Sequence, residues 1–182
     1  FLCIHTEMSL LPPMPRFMDV QGCKLRISVF ETCSSGNPLH IAAQLGDCDA
    51  ATEILKCEPK YAKELNKEGL TPLHLSCMEG HLEITERLVK SNRELCVLKD
   101  KYYGNTPLHA AAMKGRVDVV KVLLEACPES VKQVSTATGQ TCLHTAVVYN
   151  KFEVMIILYL MPRIAAETPL CTSLPQENNS RL

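Results

Sequence analysis

The chain has 182 residues, 46% of them apolar and 21% charged, and its 19 basic and 20 acidic side chains leave a net charge of −1. That length supports one domain with a sizeable core. Near-neutrality, the lack of tryptophan and an aromatic share of 5% exclude a basic or base-stacking surface for nucleic acid.

Residues 1–36 read as a poorly defined N-terminal segment. The opening "FLCIHTEMSLLPPMPRF" has no basic n-region and is interrupted by Pro12, Pro13 and Pro15, unlike a signal peptide. It begins with Phe rather than Met, as expected of a fragment or an uncertain gene model. Further on, "KLRISVF" alternates polar and apolar residues, which predicts a short strand. No room remains before residue 37 for a full capping repeat.

A repeat then takes over. "NPLHIAAQLGD", "TPLHLSCMEGH", "TPLHAAAMKGR" and "TCLHTAVVYNK" align without gaps, placing His40, His74, His109 and His144 at spacings of 34, 35 and 35. Six residues after each histidine stand Gly46, Gly80, Gly115 and, in the fourth copy, Asn150, a residue that tolerates the left-handed backbone glycine is used for. Thr71, Thr106 and Thr141 occupy N-cap positions, with Asn37 in the first copy. Pro38, Pro72 and Pro107 sit at the first helical position, where a missing N–H costs nothing; Cys142 replaces the proline in the fourth copy. Small residues follow on the first helix, and after the turn a second helix is predicted, with Leu82, Thr85 and Val89, or Val117, Val120 and Leu124, at apolar spacing. Neither helix pair can bury its apolar face alone, but stacked copies can.

Together these motifs resemble the ankyrin repeat over residues 37–160. The resemblance implies an all-α, ankyrin-repeat solenoid of about four helix-turn-helix repeats with finger loops, covering about 37–70, 71–105, 106–140 and a partial 141–160. It also implies that His40, His74, His109 and His144 are structural, each bonding its cap residue and the loop backbone of the neighbouring copy. Partners of the family dock on finger tips and on the exposed end of the first helix. Carried over, the fingers give Lys67, Glu68 and Leu70, then Lys101, Tyr102, Tyr103 and Asn105, then Ala137, Thr138 and Gln140. The helix ends give Gln44 and Leu45, Met78 and Glu79, Met113 and Lys114, and Val148 and Tyr149. Leu45, Leu70, Met78, Tyr102, Tyr103, Met113 and Tyr149 are large side chains expected to be exposed there, and Tyr and Met suit binding hot spots.

One departure is informative. The common Gly-Ala-Asp-Val-Asn loop is replaced by "EPKYAKELNKEG", "NRELCVLKDKYYG" and "CPESVKQVSTATG", with Ala62/Leu65, Leu95/Leu98 and Val131/Val134 three apart. That resembles plant ankyrin-repeat proteins carrying C-terminal transmembrane helices, and implies a membrane-tethered adaptor in defence or stress signalling. The membrane part is absent from this chain: its longest apolar run, 154–161, has eight residues before Pro162, against about 20 for a span. Residues 161–182 are proline-broken and polar, and are expected to be a disordered tail. Poorly capped ends predict some self-association.

Catalytic readings are weak. Stacked helices lie roughly 8–10 Å apart, whereas a zinc ligand sits about 2 Å from its ion, so the histidines predict no metal site. Cys142 and His144, two apart, share no helix face. Glu83, Asp118 and Glu153 recur at one place after each turn, which marks a solvated face near a helix N-terminus. The ten cysteines include no C-x-x-C pair and are read as free thiols in a reducing compartment. The expected function is a non-catalytic interaction module, cytoplasmic as it stands, that binds another protein, uses no cofactor, contacts no nucleic acid and inserts into no membrane. The alternative is a truncated form of a membrane-anchored signalling protein whose output lies in missing transmembrane helices; the full-length protein would then sit at the cytosolic face of a membrane.

Overall fold

The structure, a computed structural model, describes residues 17–20, 23–26 and 36–160. Eight α-helices follow one another in pairs: α1 (Pro38–Leu45) with α2 (Cys48–Cys57), α3 (Pro72–Glu79) with α4 (Leu82–Ser91), α5 (Pro107–Lys114) with α6 (Val117–Ala126), and α7 (Cys142–Val148) with α8 (Phe152–Leu160). The first helices stack α1–α3–α5–α7 and the second helices α2–α4–α6–α8, giving two layers. Short 3₁₀ turns at Pro59–Lys63, Arg93–Val97 and Pro128–Lys132 follow α2, α4 and α6. This is an all-α solenoid of repeated helix pairs, as the periodicity predicts.

Local chemistry sets each element. The prolines at the first position of α1, α3 and α5 fix φ without losing a needed donor. Gly46, Gly80 and Gly115 close those helices in the left-handed conformation, and Asn150 adopts it at φ 55° after α7. α2 is capped by Asp47, whose carboxylate accepts from the Ala50 N–H at 3.0 Å.

One core runs the length of the stack. Leu39, Ile54, Leu73, Leu88, Leu108 and Leu123 are fully buried, and Ala42, Ser76, Ala111 and Ala146 fill one equivalent place on the first helices. Each buried aliphatic side chain contributes roughly 1.5–3 kcal/mol. In the 3₁₀ turns Ala62, Leu95 and Val131 are buried, Leu98 is half-buried, and Leu65 and Val134 are exposed, so only the first member of each apolar pair fully joins the core.

Two expectations need correction, and a third gains a partner. The buried stripe of the second helices runs through Ile84, Thr85, Leu88 and Val89, and through Val119, Val120, Leu123 and Leu124. Leu82 is 37% exposed and Val117, though packed against the core, is half-buried; both are the first residues of their helices. Cysteine use is not uniform: Cys48, Cys77, Cys96, Cys127 and Cys142 are free thiols, whereas Cys57 is disulfide-bonded. The alternating stretch near residue 24 is one arm of a hairpin that the sequence pattern did not announce. β1 (Phe17–Val20) pairs antiparallel with β2 (Cys23–Arg26), Phe17 in register with Arg26 and Val20 with Cys23, and β2 runs beside α2. The rest of the N-terminal segment and the tail 161–182 lie outside the described residues.

Small residues keep the inner helices close. Replacing Ala111, which has no exposed surface, by Leu is expected to destabilise the fold by about 1–3 kcal/mol. The measurement is the denaturation midpoint, and an unchanged midpoint would refute this close spacing of α3, α5 and α7.

Candidate functional site

The repeated histidines bridge copies. In α3 the Nε2 of His74 faces the Asn105 carbonyl at 3.0 Å; a carbonyl only accepts, so Nε2 carries the proton. Nδ1 then accepts from the Thr71 hydroxyl at 2.8 Å and the Thr71 N–H at 3.3 Å. Thr71 and His74 thus form a capping box with histidine in the place usually taken by Glu or Gln. His109 repeats this with Thr106 at 2.8 Å and the Gln140 carbonyl at 3.1 Å. His40 reaches the Leu70 carbonyl at 3.0 Å, and its Nδ1 accepts from the Asn37 N–H at 3.2 Å. His144 meets Thr141 at 2.8 Å, but among the described residues no carbonyl takes its Nε2.

Burial pushes the His74 imidazole down to about 4, and lowers His40 and His109 as well. A second proton would also strip Nδ1 of its acceptor role. The ring is therefore neutral and fully engaged at physiological pH, which leaves it no free lone pair for chemistry.

Each loop between copies is a finger closed at its base: Asn66 N–H donates to the Leu70 carbonyl, Asp100 to Asn105 and Ser135 to Gln140, at 2.8–2.9 Å. Asn66, Asp100 and Ser135 are buried and organise the loops. The Asp100 carboxylate accepts from four consecutive N–H groups, those of Tyr102 at 3.0 Å, Tyr103 at 2.6 Å, Gly104 at 3.1 Å and Asn105 at 3.0 Å. Neighbouring fingers are joined edge to edge: Lys101 N–H donates to the Gly69 carbonyl and Ala137 N–H to the Tyr103 carbonyl, both at 3.0 Å. Gly104 has φ +65° and faces Thr136, so a Cβ there would run into Thr136 Oγ1 and Cβ.

On this rigid finger Tyr102 and Tyr103 point out, 60% and 62% exposed, with Lys101 Nζ 5.6 Å from the Tyr102 ring centre. Lys67 and Glu68 on the preceding finger are exposed, as are Leu45, Glu79, Lys114, Val148 and Tyr149 at the ends of the first helices. Leu70, Met78 and Met113 are half-buried rather than exposed, and Asn105 is half-buried at the base of its finger. Leu70 packs against the core, and the Met78 carbonyl accepts from Arg116 Nε at 3.1 Å, so this part of the expected surface is narrower. An α-helix of eight residues is about 12 Å long. The fingers and the helix ends therefore lie at opposite ends of the inner helices, as two strips.

The buried thiols Cys77, Cys96 and Cys142 are poor nucleophiles. Burial raises Cys77 and Cys142, the latter to about 12, and lifts Cys96 to about 11, so they remain protonated at neutral pH. Among the described residues no three His, Cys, Asp or Glu side chains are placed to hold a metal ion. Glu83, Asp118 and Glu153 are exposed.

The family model for ankyrin repeats, three copies long, matches residues 39–135 and 98–168. The chain is an ankyrin-repeat protein. Comparison with curated proteins gives no match. Ankyrin repeats form protein–protein interaction modules, and proteins built from them are generally non-catalytic scaffolds. Among the described residues no helix is long and apolar enough to cross a membrane.

Two features of this ankyrin domain escape a reading of its motifs. The finger organisers Asn66, Asp100 and Ser135 recur at the repeat period, a signal present in the sequence but hidden by their different side chains. The second is α8, where Phe152, Ile156, Tyr159 and Leu160 are exposed; its nine residues are apolar at all but one position, so no polar face identifies an outside.

Two outcomes test the histidine bridges. His109→Ala leaves the Gln140 carbonyl without its donor and is expected to cost about 1–3 kcal/mol, lowering the melting temperature. For His74, an unfolded value near 6.5 against about 4 when folded means that the unfolded chain binds more protons between them. Stability is therefore full above about 6.5 and falls as the pH drops towards 4, by up to about 1.4 kcal/mol per pH unit. His74→Gln retains a capping side chain but does not titrate; urea midpoints measured across this range should show a shallower acid slope than the natural chain.

Proposed function

We propose that residues 37–160 are a non-catalytic adaptor that grips another protein through the finger edge, with Tyr102 and Tyr103 as its anchors. One observation carries this reading: two adjacent, outward tyrosines stand on a loop whose backbone is held by four N–H bonds to Asp100. Large aromatic rings on a rigid support lose little conformational freedom on binding, which is what favours them as hot spots. Lys67, Glu68 and Lys101 supply a mixed-charge rim that orients a partner rather than driving association. The strip of Leu45, Glu79, Lys114, Val148 and Tyr149 at the other end of the inner helices is a second, separate contact area. The half-buried Met78 and Met113 shape the floor of that strip, and Leu70 and Asn105 shape the finger base.

The 3₁₀ turns that replace the common loop favour a finer reading: an adaptor like those of the plant ankyrin-repeat/transmembrane proteins, in defence or stress signalling. On that reading a longer product with apolar segments of about 20 residues carries the output, and this domain selects what is brought to the membrane.

Affinity capture from cell extract compares the natural chain with a Tyr102→Ala/Tyr103→Ala variant matched in helicity and melting temperature. A protein retained by the first and lost from the second is the expected outcome. Identical captures would remove the fingers as the grip.

A further inference from the structure

The outer row of helices changes character at its last member. The first, fifth and ninth residues are Cys48, Thr52 and Lys56 in α2, Leu82, Glu86 and Lys90 in α4, and Val117, Lys121 and Glu125 in α6. In α8 they are Phe152, Ile156 and Leu160, and these are 63%, 49% and 66% exposed. The end of the stack accounts for other apolar surface here, but not for this. Val147 and Tyr159, 54% and 68% exposed, stand where Ala112 and Leu124 are buried under the next copy. Lys121 and Glu125 face water even within the stack, so the residues in their places on α8 would be exposed in any copy.

Residues four apart share one helix face. Phe152, Ile156 and Leu160 therefore form a stripe along the whole of α8, and Tyr159 and Val147 extend the apolar surface onto the end of the stack. Glu153 is the one charged residue of α8, and it stands beside the stripe rather than within it. A large side chain presents roughly 150–250 Å², so at these exposures the five offer on the order of 500 Å². Two such faces together bury about 1,000 Å², the lower bound of a specific interface.

We propose that α8 is a self-docking face, on which a second copy of this chain lays its own α8 antiparallel about a two-fold axis. Ile156 is the middle residue of this nine-residue helix. Antiparallel pairing about it sets Phe152 of one copy against Leu160 of the other at both ends, the self-complementarity that a two-fold contact requires. The stripe carries no charge with which to select a different protein. Nor does α8 contain the Lys or Arg that hold an interfacial helix on lipid headgroups. The small area makes the dimer weak, so its population follows protein concentration.

Sedimentation velocity on the full chain, across about a hundredfold range of concentration, tests this against an Ile156→Lys/Leu160→Glu variant. Those substitutions give α8 the residues that α6 carries at the same places. Both positions are exposed, so helicity and the melting midpoint should match those of the natural chain at low concentration. The natural chain is expected to pass from monomer to dimer over the range. Its α8 amides should exchange more slowly at high concentration, while those of α2 and α4 do not change. The variant should need about tenfold more protein or greater to associate, the scale set by losing two aliphatic contacts from each copy. The exchange measurement uses the natural chain alone, so it decides the matter even where the variant fails to fold. A natural chain that is monomeric throughout would overturn the proposal. So would a dimer that persists unchanged in the variant, since both chains keep the same cysteines and every other surface. Flotation with phosphatidylcholine–phosphatidylserine vesicles gives the last outcome. A natural chain that floats with them but forms no dimer in solution would assign the face to lipid and overturn the second copy.

Discussion

No helix pair in this protein can bury itself. Each presents leucines, isoleucines and valines on two sides, and each side is satisfied only by the neighbouring pair. Leu73, Leu88, Leu108 and Leu123 reach full burial because another layer lies on either hand. Where the stack stops, equivalent positions turn outward, and Val147 and Tyr159 show what every layer would be without its neighbour. Stability, cooperativity and the exposed end all stem from that one dependence.

Hydrophobic stacking is non-directional and does not by itself fix how far one copy turns relative to the next. The histidine bridge supplies direction. A single neutral imidazole closes its own helix cap through Nδ1 and ties down the next finger through Nε2, so cap, copy and loop are placed by one side chain. The cost is acid sensitivity, since burial and two committed nitrogens leave no place for a second proton. The repeat's most conspicuous ionisable residue is thereby a spacer between layers rather than a reagent.

Rigid fingers are the consequence that matters for recognition. Asp100 draws four amides round its carboxylate and sets Tyr102 and Tyr103 side by side, while main-chain bonds from Lys101 to Gly69 and from Ala137 to Tyr103 join the fingers into one edge. Gly104 is required there for two reasons at once, its left-handed backbone and the nearness of Thr136. A surface prepared in this way loses little entropy when a partner arrives.

The repeat itself determined most of the fold. The spacing of His40, His74, His109 and His144, the caps before them and the glycines after them placed eight helices and set each histidine beside its own cap residue, because capping and turn chemistry act over three or four residues and repeat unchanged. Side-chain exposure was less legible. Leu82 and Val117 match the helical period, and Leu70, Met78 and Met113 occupy positions read as outward, but which of them water reaches depends on the layer above. The organising role of Asp100 rests on a loop closing round it, and the hairpin of β1 and β2 on a pairing that strand propensity alone does not specify. The exposed face of α8 is the extreme case: an apolar helix has no outside until its neighbours are counted. Caps and turns are local and are written in the order of the residues, whereas burial belongs to the assembled stack because it depends on what lies on both sides.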